Sequence, residues 1–513
     1  MGWTMLSKGI SYALNGLTGV MVDVEVDIHK GLPKFEIVGL PDTAVKESKE
    51  RVRSAIKNSG LVFPNKAITV NLAPADLKKE GAYFDLSIAL AIIKAENEGF
   101  SDKEYVVLGE LGLDGKVRGV NGLMPMLISA KLQGFEFFII PKENEKEASF
   151  IDGINVIAIE TLSEAIAYLK GEKQLDFIPV GDMHAEAEKT EYACDLSYVK
   201  GQYVAKRALE IAVSGGHNIL MVGSPGSGKT MLAKCIPSIM PEMTKDEILE
   251  TTEIHSVAGK LVKEKGIVST RPFMTPHHTA SVPSLIGGGQ DAKPGIISLA
   301  HNGVLYLDEM PEYPRSVLES LRQPLEDRVI AVARSKYYCV YPASFILCGS
   351  MNPCPCGNYG VKNVQCNCTA SQIVKYRARI SAPLLDRIDL QIEVEGVKYE
   401  DLSSTATEES SAEVRKRVNR TREIQLKRFE GEKIKTNAEM SEKHIRKYCV
   451  LSPECEAVLK NAYERFNLTA RARNRILKVS RTIADMDASE NIEIKHVIEA
   501  CGYRSRQTNE NLY

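Results

Sequence analysis

The octapeptide Gly223-Ser224-Pro225-Gly226-Ser227-Gly228-Lys229-Thr230 directly follows the apolar run Ile219-Leu220-Met221-Val222. This order commits the middle of the chain to a buried strand that turns sharply into a helix. The glycines let successive backbone N–H groups curl around phosphate oxygens, and the helix presents its positive end to the same anion. Lys229 can reach the outer phosphates, and the Thr230 hydroxyl can take a place on magnesium. A second apolar run, Val304-Leu305-Tyr306-Leu307, ends in Asp308-Glu309. Such a strand delivers Asp308 to the metal and Glu309 to a water facing the terminal phosphate. The two elements in this order point to ATP and Mg2+ as cofactors and to hydrolysis of the nucleotide.

A chain of 513 residues, 44% of them hydrophobic, has material for several cores. The net charge of -2 gives no global excess of either sign, so any nucleic-acid surface must be local. No charged start precedes an apolar stretch and no apolar run is long enough to span a bilayer, which predicts a cytoplasmic protein without membrane contact. Eleven cysteines, four of them between 354 and 368, suit a reducing compartment with one metal site better than a disulfide framework.

Residues 1–170 alternate β-rich runs, such as 20–26 and 67–72, with helical stretches at 86–94 and 124–131. Residues 171–194 are polar and aperiodic, as a linker would be. The nucleotide-binding core is expected over 195–397, a charged helical connector over 398–439 and a small all-α lid over 440–513.

Further motifs resemble the AAA+ ATPases. Phe345 to Asn352 reads as a core strand ending at the first sensor, where Asn352 would hold the attacking water. Leu384-Leu385-Asp386-Arg387-Ile388-Asp389 resembles the segment that lends an arginine finger to the neighbouring subunit, with an intrachain pair to Asp386 or Asp389 as the alternative for Arg387. Within Thr469-Ala470-Arg471-Ala472-Arg473, Arg471 is expected as the second sensor, with Arg473 close enough to compete. Arg271-Pro272-Phe273-Met274-Thr275-Pro276-His277-His278-Thr279 and the triplet Gly287-Gly288-Gly289 resemble the magnesium-chelatase-like branch, which carries an insert in the second core helix. A hairpin is expected from 329–333 and 337–340. The resemblance implies an α/β AAA+ core with an α-helical lid, assembled as a homo-hexamer.

Cys354-Pro355-Cys356 and Cys366-Asn367-Cys368 form two pairs with Gly357 and Gly360 between them. Four thiolates folded back on a turn suit a structural zinc ion, Zn2+ held by Cys354, Cys356, Cys366 and Cys368. An iron–sulfur cluster and free thiols remain alternatives.

The motor, the cysteine pairs and the N-terminal segment together resemble the YifB/ComM family of magnesium-chelatase-like AAA+ ATPases, through Thr275-Pro276-His277-His278-Thr279, Asn352-Pro353-Cys354-Pro355-Cys356-Gly357 and the Arg387 segment. This implies an ATP-driven DNA helicase acting in branch migration, with single-stranded or branched DNA as partner. Leu108 to Val117 and Phe137 to Pro141 resemble the proteolytic domain of Lon, an α+β fold of the ribosomal S5 domain 2 type. Alignment puts Asp85 at the place of Lon's serine and Met124 at that of its lysine, so the segment is expected to be an inert scaffold. Basic helical sequence at 415–428 and 465–481 offers phosphate contacts or plain solvated faces. The competing function is a chelatase-type protein-remodelling motor, against which the Lon-like segment and the cysteine knob count.

Overall fold

The computed structural model describes residues 5–188, 192–289, 292–334, 337–361, 364–397 and 408–504. Parts of the expected linker (189–191) and connector (398–407) lie outside these residues. The chain divides into two compact units: Met1–Lys189 with Lys245–Ser269, and Thr190–Thr244 with Thr270–Tyr513.

The first unit is built on a seven-stranded mixed sheet. Its strands are Met5–Asn15 (β1), Thr18–His29 (β2), Lys34–Val38 (β3), Ala67–Ala73 (β4), Val106–Val107 (β5), Phe137–Pro141 (β6) and Asn155–Ile159 (β7). They lie in the order β3-β4-β2-β1-β5-β6-β7. In β2 the alternation of the sequence sends Val22, Val24, Val26 and Ile28 into the core. Each contributes about 1.5–3 kcal/mol by leaving water. The helix Asp85–Glu96 is buried over most of its surface, which is why its sequence shows little amphipathic pattern. Asp85 is fully buried and accepts from Arg51 Nε at 2.6 Å and from the Leu111 amide at 3.3 Å. Met124 is fully buried at the start of the helix Leu123–Leu132.

The segment 245–269 was expected inside the nucleotide-binding core, yet it is part of this first unit. The helix Lys245–Val257 packs against Leu123–Leu132. Its anchor is Glu147, whose Oε1 accepts from Ser256 Oγ and, at 3.0 Å, from the Met124 amide. Glu147 Oε2 accepts from Asn144 Nδ2 at 2.9 Å. A buried carboxylate is tolerated only when its lone pairs are filled in this way.

The second unit carries a five-stranded parallel sheet. Its strands are Ile219–Val222 (β8), Phe273–Met274 (β9), Val304–Leu307 (β10), Ile346–Met351 (β13) and Leu390–Glu393 (β14), with Val329–Arg334 (β11) and Tyr337–Pro342 (β12) forming a separate antiparallel hairpin. The sheet order is β9-β10-β13-β8-β14. β8 and β10 are buried runs without alternation, as parallel strands covered on both faces must be. Among the described residues the helix Ser411–Arg428 follows, and then helices at Glu442–Tyr448, Pro453–Arg465, Ala470–Met486 and Ile494–Gly502. Ile476, Val479 and Ile483 of Ala470–Met486 share one core with Leu209, Ile219 and Leu232.

Candidate active site

The strand β8, between β13 and β14, opens into the loop 223–228, and the helix Lys229–Ile239 starts at Lys229. Gly226 and Gly228 have φ of 78° and 91°, a left-handed backbone that a side chain would strain. A Cβ on Gly223 would lie 2.3 Å from the Val394 carbonyl oxygen. Lys229 curls back over the loop, its Nζ donating to the Gly223 and Ser224 carbonyls at 2.7 and 2.8 Å. The same Nζ reaches Asn352 Oδ1 at 3.3 Å. Burial pushes the Lys229 ammonium down, opposed by the charges of Asp308 and Glu309.

Asp308 leaves the C-terminal end of β10 beside this loop. Its Oδ2 accepts from Thr230 Oγ1 at 3.2 Å. Its Oδ1 accepts from Ser350 Oγ at 2.5 Å, Tyr306 OH at 2.8 Å and the Glu309 amide at 3.1 Å. Burial pushes the carboxyl up, but the bonds from Ser350, Tyr306 and Thr230 outweigh it and hold Asp308 below the usual carboxylate range. With Oδ1 saturated, Oδ2 and Thr230 Oγ1 are the pair that can share a magnesium ion. Glu309 is exposed and sits at φ 49°. Such a backbone costs of order 1–3 kcal/mol and is tolerated where the surroundings fix it. Here the Glu309 amide is held by Ser350 Oγ at 3.1 Å as well as by Asp308.

Ser350 and Tyr306 were not singled out in the sequence. The signal for Ser350 is the register, because β10 and β13 are parallel with Leu307 opposite Gly349, which sets Ser350 beside Asp308. The hydroxyl at the end of β13 and Asn352 beyond it therefore face the loop together.

Arg387 lies outside this group. It pairs with Glu326 and donates from Nη1 to the Pro383 carbonyl at 2.8 Å. Its ion-pair partner is thus neither Asp386 nor Asp389. Asp389 instead is buried and takes Arg475 and the Asn218 amide. Arg471 is exposed on the first turn of Ala470–Met486, while Arg473 bonds Glu456 at 3.2 Å. Several arginines of the basic helical sequence are paired within the chain. Arg417 pairs with Glu210 and Glu409, Arg428 and Arg481 with Asp485, and Arg422 donates to the Val213 carbonyl at 3.0 Å.

The thiols of Cys354, Cys356, Cys366 and Cys368 all lie within 4.8 Å of one another. The Sγ separations are 3.4 Å for 354–356, 3.6 Å for 356–366 and 3.7 Å for 354–366. A tetrahedron with bonds of about 2.3 Å has edges of about 3.8 Å, so four thiolates here fit one zinc-sized ion. Gly357, at φ 81°, lies so near Pro225 of the nucleotide loop that a Cβ would come within 2.4 Å of the ring. The His277 and His278 rings lie 4.1 Å apart, tilted by 34°, and His277 Nδ1 bonds Thr279 Oγ1 at 2.8 Å.

Three families match this chain: magnesium chelatase, subunit ChlI, over 195–402; subunit ChlI of Mg-chelatase over 24–144; and the magnesium chelatase subunit ChlI C-terminal region over 408–504. Competence protein ComM of Haemophilus influenzae is 42% identical over 503 residues, covering 96% of each chain. The chain belongs to the YifB/ComM family. YifB of Escherichia coli, an uncharacterized protein, is 43% identical over 494 residues, covering 96% of this chain and 95% of its own. Lon protease 2 of Bacillus subtilis is 25% identical over 166 residues, 29% of this chain and 30% of its own. This YifB/ComM chain is a mixed α/β AAA+ protein of a magnesium-chelatase-like kind, and its family implies an ATPase that uses ATP and Mg2+. The match over 24–144 carries a chelatase-subunit description. The fused N-terminal segment therefore does not by itself argue against a chelatase-type motor. No helix among the described residues is long and apolar enough to cross a membrane.

Proposed function

We propose that this chain is an ATP-driven DNA translocase or helicase that works as a homo-hexamer on single-stranded or branched DNA in the cytoplasm. The observation that carries the shared-site reading is the partition of charge. Lys229, Thr230, Asp308, Glu309 and Asn352 gather at one loop, whereas the Arg387 partners among the described residues are Glu326, its own turn and Asn218. An arginine engaged apart from its own loop is available to a neighbour's, as an arginine finger supplied in trans requires.

Bound ATP with magnesium supplies the phosphoryl group and the charge that polarises it. The backbone N–H groups of 223–230, Pro225 excepted, would cradle the phosphates. Thr230 and Asp308 would hold the metal, and Asn352 would orient a water whose proton Glu309 would take. Arg387 of the adjoining copy would complete the site, with Arg471 as the second sensor on the helical lid. Zinc on Cys354, Cys356, Cys366 and Cys368 has no open position, so its part is to shape the knob. The N-terminal unit is read as a Lon-like scaffold without the catalytic pair, since Asp85 and Met124 are a paired carboxylate and a buried thioether. The domain plan is 1–170, linker 171–194, core 195–397 with 245–269 given over to the first unit, connector 398–439 and lid 440–513.

A protein-remodelling motor is the second reading, favoured by the chelatase-subunit matches. ATPase measured with and without a three-stranded DNA joint separates the two. The proposal expects stimulation that fades steeply with salt, together with strand displacement. An ATPase indifferent to every DNA form would favour the remodelling motor.

A further inference from the structure

Arg387 is held rigidly by its backbone and loosely by its head. Its amide donates to the Leu384 carbonyl and its carbonyl accepts from Asn218 Nδ2, both at 2.9 Å. The residue is only 8% exposed, yet its Nε is buried without a hydrogen-bond partner. Among the described residues its charged partner is Glu326, at the end of the helix Arg322–Asp327, whose side chain is 54% exposed. The Arg387 bond, together with the nearby charges of Arg471 and Arg475, holds the Glu326 carboxyl below its usual range. Arg475 is already committed to Asp389. A guanidinium with an unmade bond and one half-exposed carboxylate is under-satisfied, and a phosphate group offers it more acceptors than Glu326 can.

We propose that Glu326 is a holding carboxylate for Arg387, keeping the guanidinium in the separate protomer and releasing it when a neighbour's nucleoside triphosphate comes within reach. Glu326 is then a positioning residue that acts through Arg387 and sets how readily ring assembly turns into hydrolysis. The inference rests on the reading of Arg387 as the arginine lent across the subunit boundary.

The test is steady-state ATPase of the full chain against protein concentration, at saturating ATP and magnesium, for the native protein, Glu326→Gln and Glu326→Asp. Glu326→Gln keeps the shape and removes the charge. Its half-maximal protein concentration is expected to fall about three- to tenfold with the plateau retained, the fold-change of a half-exposed charged pair. Glu326→Asp should move back toward the native value. A half-maximal concentration in Glu326→Gln that is unchanged or higher overturns the proposal, as does a lower plateau at an unshifted concentration. Arg387→Ala is assayed beside them. If it turns over at the native rate in assembled rings, the reading of Arg387 itself fails, whatever Glu326 does.

Discussion

Ser350 Oγ donates to Asp308 Oδ1 at 2.5 Å across two adjacent parallel strands, and the same oxygen takes the Glu309 amide at 3.1 Å. One hydroxyl thus fixes both acidic residues of the proposed hydrolytic site, turning Asp308 Oδ2 toward Thr230 and locking the left-handed Glu309.

Ser350→Ala should therefore weaken turnover without unfolding the chain. A bond to an ionised group contributes about 1.5–3 kcal/mol, so kcat is expected to fall roughly tenfold or more. The magnesium concentration needed for half-maximal ATPase should rise, because Asp308 loses its orientation. Thr at this position retains the hydroxyl and should recover most of the activity. An alanine variant with native magnesium dependence would remove Ser350 from the site.

Glu309→Gln separates binding from chemistry. The amide keeps the volume and cannot take a proton, so ATP binding should persist while turnover drops by about 10²–10⁴, the contribution of a general base. Mixing this variant with Arg387→Ala in excess and finding partial recovery of ATPase would support sites shared between copies. Turnover that survives in Glu309→Gln alone shifts the water-activating role elsewhere.

The cysteine knob and the nucleotide loop touch through Gly357 and Pro225. Elemental analysis of protein purified without added metal should give one zinc per chain, and Cys356→Ser should lose it. Gly357→Ala forces a Cβ against the Pro225 ring at a positive φ. The backbone alone costs about 1–2 kcal/mol. Nucleotide affinity, read by fluorescent-ATP titration, should fall severalfold. Native affinity in both variants would make the knob irrelevant to the loop.

A pH dependence is expected from the helix Lys245–Val257. Burial, with Glu250 adding like charge, pushes the Glu253 carboxyl up to about 7. A carboxyl raised on folding favours the native state fully below its ordinary value near 4.5, and this contribution is lost as pH rises through 7. Glu253→Gln should match the native protein in thermal stability at pH 4.5. By pH 8 it should exceed it by on the order of 2 kcal/mol, discounted for the part of the side chain still in water. A difference that stays flat from pH 4.5 to 8 would show that Glu253 is solvated.

Much of the second unit can be read from the chain because its elements are local. The run 219–222 and the octapeptide after it announce their strand, turn and helix without help from elsewhere. What escaped reading depends on partners distant in sequence. Ser350 becomes meaningful only once β13 lies beside β10, and Glu326 only once the helix Arg322–Asp327 meets the Arg387 turn. The basic stretches at 415–428 and 465–481 look like a surface for phosphate until Glu210, Asp389 and Asp485 are found beneath them. Charge patterning along a sequence carries no record of such counter-ions. The segment 245–269 has ordinary helical sequence, and nothing in it announces that Ile248 and Ile254 are buried in the first unit rather than in the nucleotide-binding core.

That segment makes the two units inseparable by a single cut. The backbone leaves the first unit near 189, returns to it at 245 and departs again at 269. Excising residues 1–189 would strip Ser256 of its carboxylate acceptor and leave Ile248, Ile254 and Val257 without the walls that bury them. An isolated motor fragment would carry a greasy, unhoused loop between its first nucleotide helix and the strand at 273. Insolubility of such a fragment would speak about this orphaned stretch and not about the motor.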